Sequence, residues 1–236
     1  DDSDQFGNHP TGRLGYGSAF DTGLRWSASA GTGFKAPTFN DLYYPWSSNP
    51  ALKPEESTSL NLGVAQYAAS WNWTFNLYET RLDQAIALDS TWTPYNIAKA
   101  RIRGAELTGF VSLAGFDINA QASLTDARDR SEGAASYDNL LPRRARSSGR
   151  VDVDRSFGPL RVGITAAGSG HRFDNAANSV RLAGYGTVDL RVEYAINDAW
   201  SVQARAANVF DRDYETVAWY NQPGREYQLT LRYRSK

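Results

Sequence analysis

The chain has 236 residues, a formal net charge of −1 and no cysteine. Near-neutral charge leaves no electrostatic footprint for nucleic acid, and the missing thiols exclude disulfides, cysteine nucleophiles and cysteine-ligated metals. Mean hydropathy is −0.53 and no apolar run approaches the roughly 20 residues of a membrane helix, which excludes helical spans but not strands, whose residues are half polar by construction.

The chain opens Asp1-Asp2-Ser3-Asp4 and contains no methionine, as expected of a piece of a longer or processed protein. No stretch keeps a 3.6-residue apolar period, so no long amphipathic helix is expected. A period of two recurs instead. Leu24, Trp26, Ala28 and Ala30 alternate with Arg25, Ser27 and Ser29; Leu60, Leu62 and Val64 with Ser59, Asn61 and Gly63; Trp71, Trp73, Phe75 and Leu77 with Asn72, Thr74 and Asn76. The same pattern runs through Phe116–Leu124, Leu160–Ala166, Val188–Ile196 and the closing run Tyr227, Leu229, Leu231, Tyr233. Weaker segments lie near Arg13–Ala19, Ala105–Leu113 and Ala145–Arg155. With a strand over the region of Ala204, the pattern predicts about eleven strands of roughly ten residues each.

The predicted connections alternate in length. Short ones fall at Phe20–Gly23, Ala68–Ser70, Ala114–Gly115, Phe157–Pro159 and Asn197–Ala199. Long ones fall at Gly33–Glu55, Asp83–Ala98, Asp126–Pro142, Phe173–Gly184 and Asp211–Gly224. Short turns on one rim and long loops on the other is the layout of a bacterial outer-membrane barrel; a soluble sandwich, the alternative, has no reason to keep it over five hairpins. Trp71, Trp73, Phe116, Tyr194 and Trp200 sit beside the short turns, where an interfacial aromatic girdle belongs. The fold expected is therefore all-β, an antiparallel transmembrane β-barrel. An odd strand count does not close a single-chain bacterial barrel, and open edges are costly in lipid, so an N-terminal remainder of the barrel is expected outside this chain.

Three motifs in order resemble the TonB-dependent outer-membrane receptors: Gly31-Thr32-Gly33-Phe34-Lys35-Ala36-Pro37-Thr38 with Leu42-Tyr43; Asn49-Pro50-Ala51-Leu52-Lys53-Pro54-Glu55-Glu56-Ser57; and Asn208-Val209-Phe210-Asp211-Arg212-Asp213-Tyr214. Within that family, Asn96–Glu106, Leu140–Arg146 and Tyr214–Val217 through Gly224–Tyr227 resemble the receptors that import cobalamin (vitamin B12). The resemblance spans the whole chain, matched to the C-terminal half of the barrel. It implies a 22-stranded barrel with a plugged lumen, a plug that engages TonB but is not part of residues 1–236, an outer-membrane location with lipid and lipopolysaccharide as neighbours, and cobalamin as the transported ligand rather than a cofactor. Ferric-siderophore receptors share the first three motifs, and a structural or adhesive barrel without a plug is the remaining alternative. One feature departs from the family, whose members end on an aromatic residue: here Tyr233 is followed by Arg234-Ser235-Lys236.

The ligand contacts are expected on the long loops. Arg143 and Arg144 donate several fixed hydrogen bonds suited to the amides and phosphate of a corrinoid, though a solvated charge is the competing reading. Trp219, Tyr220 and Asn221 combine rings with polar handles, as a large amphipathic ligand requires; loop packing is the alternative. Tyr43, Tyr44, Trp46, Trp92 and Tyr95 share that composition. His9 and His171 are isolated and are not read as metal ligands. Asp126, Asp129, Glu132 and Asp138 cluster in one loop at a spacing that matches no calcium motif. Asp189 and Glu193 lie about 13 Å apart by strand rise, beyond the roughly 9.5 Å of a glycosidase pair. No enzymatic motif and no resident metal or cofactor is expected.

Overall fold

The structure is a computed structural model in which residues 2–3, 5–89 and 91–234 are described. Its main element is a single 11-stranded antiparallel sheet. In chain order the strands are β1 (Arg13–Ala19), β2 (Leu24–Lys35), β3 (Glu55–Tyr67), β4 (Trp71–Leu88), β5 (Pro94–Leu113) and β6 (Phe116–Asp129), then β7 (Ser147–Phe157), β8 (Leu160–Ser169), β9 (Tyr185–Ala195), β10 (Trp200–Ala207) and β11 (Glu226–Tyr233). Each pairs with its neighbour in sequence, an up-and-down meander with β1 and β11 at the two edges. One five-residue helix, α1 (Phe39–Tyr43), sits in the first long connection.

Local chemistry explains the hairpins. The β5–β6 turn has two residues, Ala114 at φ 53 and Gly115 at φ 81. Two central residues with positive φ make the primed turn whose twist matches the strands. Asn197 Oδ1 accepts from the Ala199 and Trp200 N–H groups at 2.9 Å, closing the β9–β10 turn. The short connections fall where the spacing predicts them. The Asp83–Ala98 connection does not. β4 runs on to Leu88 and β5 begins at Pro94, so these two strands have 18 and 20 residues rather than about ten. Beyond Asp83 the apolar residues are Ala85, Ile86, Ala87 and Ile97, and their run is broken at Gln84, whose φ of 58 turns the strand. Alternation counted across that point loses phase. β7 begins at Ser147 rather than near Ala145, and Arg143 and Arg144 lie within the loop before it.

The register puts the two side-chain sets on opposite faces. Leu62 pairs with Leu77, Leu77 with Ala105 and Ala105 with Leu124, and Leu60, Leu62, Leu124, Leu190, Leu229 and Leu231 stay exposed on that apolar face. The opposite face is polar and cross-linked. Arg205 pairs with Asp189 at 2.6 Å, Arg150 with Asp152 at 2.7 Å, and Arg161 with the buried Asp154 at 3.4 Å. Glycines on middle strands let side chains bridge two strands apart. Arg191 of β9 reaches Asp154 of β7 over Gly163, and Tyr78 Oη of β4 meets Thr125 Oγ1 of β6 at 3.1 Å over Gly104. The small packed cluster of Ala85, Ile97, Ala100, Ala127 and Leu141 sits at the long-loop rim, not in the middle of the sheet.

At the short-turn rim Trp200 packs on Tyr233 at 4.9 Å, and the Arg155 guanidinium lies 4.5 Å from the Phe116 ring and 4.9 Å from Phe157. The Arg234 N–H donates to Ala199 O at 2.8 Å, continuing the β11 pairing by one residue; Ser235 and Lys236 of the expected tail lie outside the described residues.

Candidate ligand-binding site

The five long connections all leave the same rim, and specific hydrogen bonds fold them toward one another. The β2–β3 connection starts with a capping box: Thr38 accepts from the Asp41 N–H, and Asp41 accepts from the Thr38 N–H at 2.8 Å. It then runs along the β4–β5 hairpin. Asn49 Nδ2 donates to Pro94 O at 3.1 Å, and Asn96 clamps Lys53, accepting from its N–H at 2.9 Å and donating to its O at 3.0 Å. Leu52 is buried beneath this strap. The β6–β7 and β8–β9 connections are joined through Asn178, which accepts from the Leu140 N–H and donates to Leu140 O, both at 2.8 Å. In the β10–β11 connection the buried Asn208, at φ 48, accepts from the Arg212 N–H at 3.0 Å and donates to Arg212 O at 2.9 Å. Tyr214 stacks on Tyr185 at 3.9 Å, and burial, then its neighbour Tyr185, raises the Tyr214 pKa.

At the convergence lies Arg143. Its φ is 61, a left-handed conformation that a non-glycine residue adopts at a cost. Its Nε donates to Asp174 Oδ1 at 3.0 Å and its Nη2 to Asp174 Oδ2 at 3.4 Å. The guanidinium lies 4.4 Å from the Trp92 ring, a cation–π arrangement. Trp92 in turn meets Tyr220 edge-on at 5.8 Å. Asp174 also accepts from the Ala218 N–H at 3.1 Å. Burial alone would raise the Asp174 pKa; the Arg143 and Ala218 hydrogen bonds outweigh it and leave the carboxyl below its usual range. Ser47 Oγ donates to Trp92 O, which ties in the first connection. All five loops thus meet around one Arg–Asp pair, with Trp92 against the guanidinium and Tyr220 edge-on to Trp92. No hydrogen bond from Arg143 Nη1 is formed among the described residues, which leaves its N–H donors without a protein acceptor there.

The structure brings Arg143 and Tyr220 together through Trp92. Trp219, at the tip of the adjoining ribbon formed by Glu215–Val217 and Tyr220–Asn221, is 90% exposed with a φ of 70. Asn221 is exposed beside it. Arg144 is exposed and forms no ion pair or side-chain hydrogen bond among the described residues. Tyr43 packs on Phe39 at 5.2 Å, Trp46 is fully exposed, and Tyr95 packs against the rim cluster. Three of the four loop carboxylates are held by arginines or serines, and Glu132 is exposed. Asp126 pairs with Arg103 and Arg128, Asp138 with Arg128 and Arg130, and Asp129 accepts from Ser131 and Ser136. No group of three or more metal-ligating side chains converges among the described residues. Asp174 is the participant that sequence reasoning missed. A lone aspartate in a long loop carries no signal until its partner is known.

A family model described as the TonB dependent receptor-like β-barrel matches residues 1–209. The chain belongs to the TonB-dependent receptor β-barrel family. These barrels lie in the bacterial outer membrane, so the apolar face meets lipid, the polar face lines the lumen and the long loops lie outside. A protein of Photobacterium profundum named vitamin B12 transporter BtuB is 35% identical over 242 residues, covering 99% of this chain and 39% of that protein. The protein of the same name from Vibrio vulnificus is 34% identical over 246 residues, with the same coverage. The chain therefore spans about 39% of the length of the curated relatives it matches. Among solved structures, the ferric citrate transporter FecA superposes with a TM-score of 0.81 at 16% identity, covering 98% of this chain and 40% of that one. The copper transporter OprC gives 0.79 at 19% identity, covering 94% and 39%. At these identities the likeness concerns the fold alone. Asn49, Asn96 and Asn208, each the first residue of a segment that resembles the family, hold loops by clamping main chain; their part in this fold is scaffolding.

Proposed function

We propose that residues 1–236 form the C-terminal part of an outer-membrane active-transport receptor for cobalamin, energised by TonB through a plug domain that this segment does not include. The observation that carries the ligand assignment is the pairing of whole-chain similarity to proteins named vitamin B12 transporters with five loops converging on Arg143, Trp92 and Tyr220. A corrinoid is a broad, largely apolar plate edged with amides and carrying a phosphate. The free edge of Arg143 can donate to an amide or phosphate oxygen, while Asp174 and Trp92 hold the guanidinium in place. Trp219 and Tyr220 offer exposed ring faces to the plate. Arg144 and Asn221 are reached only by the ligand's periphery.

The test is equilibrium binding of cyanocobalamin to membranes carrying the full-length parent protein at matched receptor levels. Arg143→Ala removes a charge-assisted hydrogen bond, worth roughly 1.5–3 kcal/mol, and is expected to weaken binding about tenfold to a hundredfold. Tyr220→Ala is expected to weaken it with little salt dependence. Parent-like binding by both variants refutes the loop assignment. A parent that binds no cobalamin but takes up a ferric chelate replaces the ligand with a siderophore.

A further inference from the structure

We propose that Arg172, on the lumen side of the outer rim, is the docking point for a carboxylate of the plug. The proposal rests on the reading that a plug fills this lumen, not on which ligand is transported.

Arg172 belongs to a short ribbon in the β8–β9 connection, formed by Arg172–Phe173 and Arg181–Leu182. The pairing continues to Asp174, whose N–H donates to Val180 O at 2.8 Å. Side chains along a strand alternate. Arg172 and Asp174 therefore leave one side of the ribbon, and His171 and Phe173 the other, where their rings meet edge-on at 6.1 Å. The first side faces the lumen. Arg172 Nη2 donates to Ser169 Oγ at 2.8 Å, and the guanidinium lies 5.9 Å from the Tyr185 ring. Ser169 and Tyr185 are partners in the β8–β9 ladder, in phase with the lumenal pair Thr165 and Asp189 and so on the same face. Tyr214 backs Tyr185 at 3.9 Å, so the guanidinium lies over a ring that is itself held.

What Arg172 lacks is a counter-charge. The arginines of the neighbouring wall have theirs: Arg150 pairs with Asp152, Arg161 and Arg191 with Asp154, and Arg205 with Asp189. Asp174, two positions along the same side of the ribbon and about 7 Å away by strand rise, is held by Arg143. Arg172 forms no ion pair among the described residues, its Nε is buried without a partner, and its Nη1 makes no hydrogen bond there. A guanidinium does not shed its proton, and a half-buried cation left unpaired is costly. A neutral acceptor does not meet that charge; a carboxylate does, through charge-assisted hydrogen bonds. The lumen of a large outer-membrane transporter barrel is filled by its plug, and the curated relatives carry most of their length outside the part matched here. Arg172 lies against the strand ladder itself, nearer the barrel than the loop residues Trp92, Arg143 and Tyr220. The plug, rather than a ligand held among the loops, comes against it.

The test uses the full-length parent protein in outer-membrane vesicles. Arg172→Lys keeps the charge and supplies an amine that a water-soluble carbodiimide joins, as an amide with loss of water, to a carboxylate in direct contact. Peptide mapping is expected to find this side chain linked to an aspartate or glutamate of the plug. Thr187→Lys, two residues further along the same lumenal face of β9, is the control for the plug's presence. Arg172→Gln should raise hydrogen exchange in the linked plug segment about tenfold or more, and Arg172→Glu combined with an arginine in place of the identified plug acid should bring exchange back to the parent's. Barrel assembly is monitored by heat-modifiable mobility, and the carbodiimide result on Arg172→Lys decides the matter where Arg172→Gln does not assemble. If Arg172→Lys links only to barrel carboxylates such as Asp174 or Asp189 while the control reaches the plug, the proposal is overturned. It is also overturned if Arg172→Gln loses cyanocobalamin affinity with plug exchange unchanged, which makes Arg172 a ligand contact instead. If neither variant reaches a plug, the reading of a plugged lumen fails and the proposal with it.

Discussion

Removing Asp174 tests whether Arg143, the arginine proposed to meet the ligand, depends on its neighbour. Asp174 accepts two hydrogen bonds from Arg143, at 3.0 and 3.4 Å, and a third from the Ala218 N–H at 3.1 Å. Its side chain is 14% exposed and that of Arg143 is 22% exposed, so solvent screens the pair only in part. Hydrogen bonds to a charged group contribute roughly 1.5–3 kcal/mol. Asp174→Ala leaves Arg143 resting on Trp92 alone and frees the ribbon that carries Trp219 and Tyr220. The expected loss in cobalamin affinity is about 1–2 kcal/mol, or roughly tenfold, although Asp174 itself donates nothing to the ligand. A double-mutant cycle with Arg143→Ala isolates the effect: the two changes should be coupled by about 0.5–3 kcal/mol. The readout is equilibrium cyanocobalamin binding by the full-length parent and its three variants at matched receptor levels. If Asp174→Ala weakens binding equally with Arg143 present or absent, the aspartate does not position the arginine and the reasoning fails. The carboxyl titrates below its usual range, so its contribution is complete above the ordinary aspartate pKa of about 3.9 and lost as pH falls through the lower folded value. Binding by the parent should accordingly be insensitive to this group between about pH 5 and 8.

Two further outcomes concern the barrel wall. Gly104→Ala should destabilise more than Gly163→Ala, by about 1–3 kcal/mol against about 1 kcal/mol. The Gly104 Cβ would meet main chain at Leu124 O, whereas that of Gly163 meets only the movable ends of Asp154 and Arg191. Heat-modifiable unfolding of the full-length protein ranks the two, and a reversed order contradicts the bridging geometry. Leu190→Arg and Leu229→Arg, both on the lipid face, should each cost roughly 2–4 kcal/mol if near the midplane; spin labels at these positions that report water rather than lipid would reverse the assignment of the two faces.

Sequence alone determined the wall of this protein. A strand's side chains alternate by geometry, and a membrane barrel has lipid on one side and a wet lumen on the other. Each strand therefore writes its orientation into its own residues, as Tyr227, Leu229 and Leu231 do, and the short turns Ala114–Gly115 and Asn197–Ala199 are legible from residue type. The pattern lost phase where the backbone broke its own rule, at Gln84, and there it turned a long paired extension into a loop. Arg143 and Tyr220 were readable as residues suited to a ligand. Their being neighbours was not, since 77 positions separate their numbers in the chain and no local period links them. The place of Asp174 was decided only by the tertiary structure. An ion pair between loops depends on strand register and on which main-chain groups Asn49, Asn178 and Asn208 clamp, and those distances are set across the rim rather than along the chain.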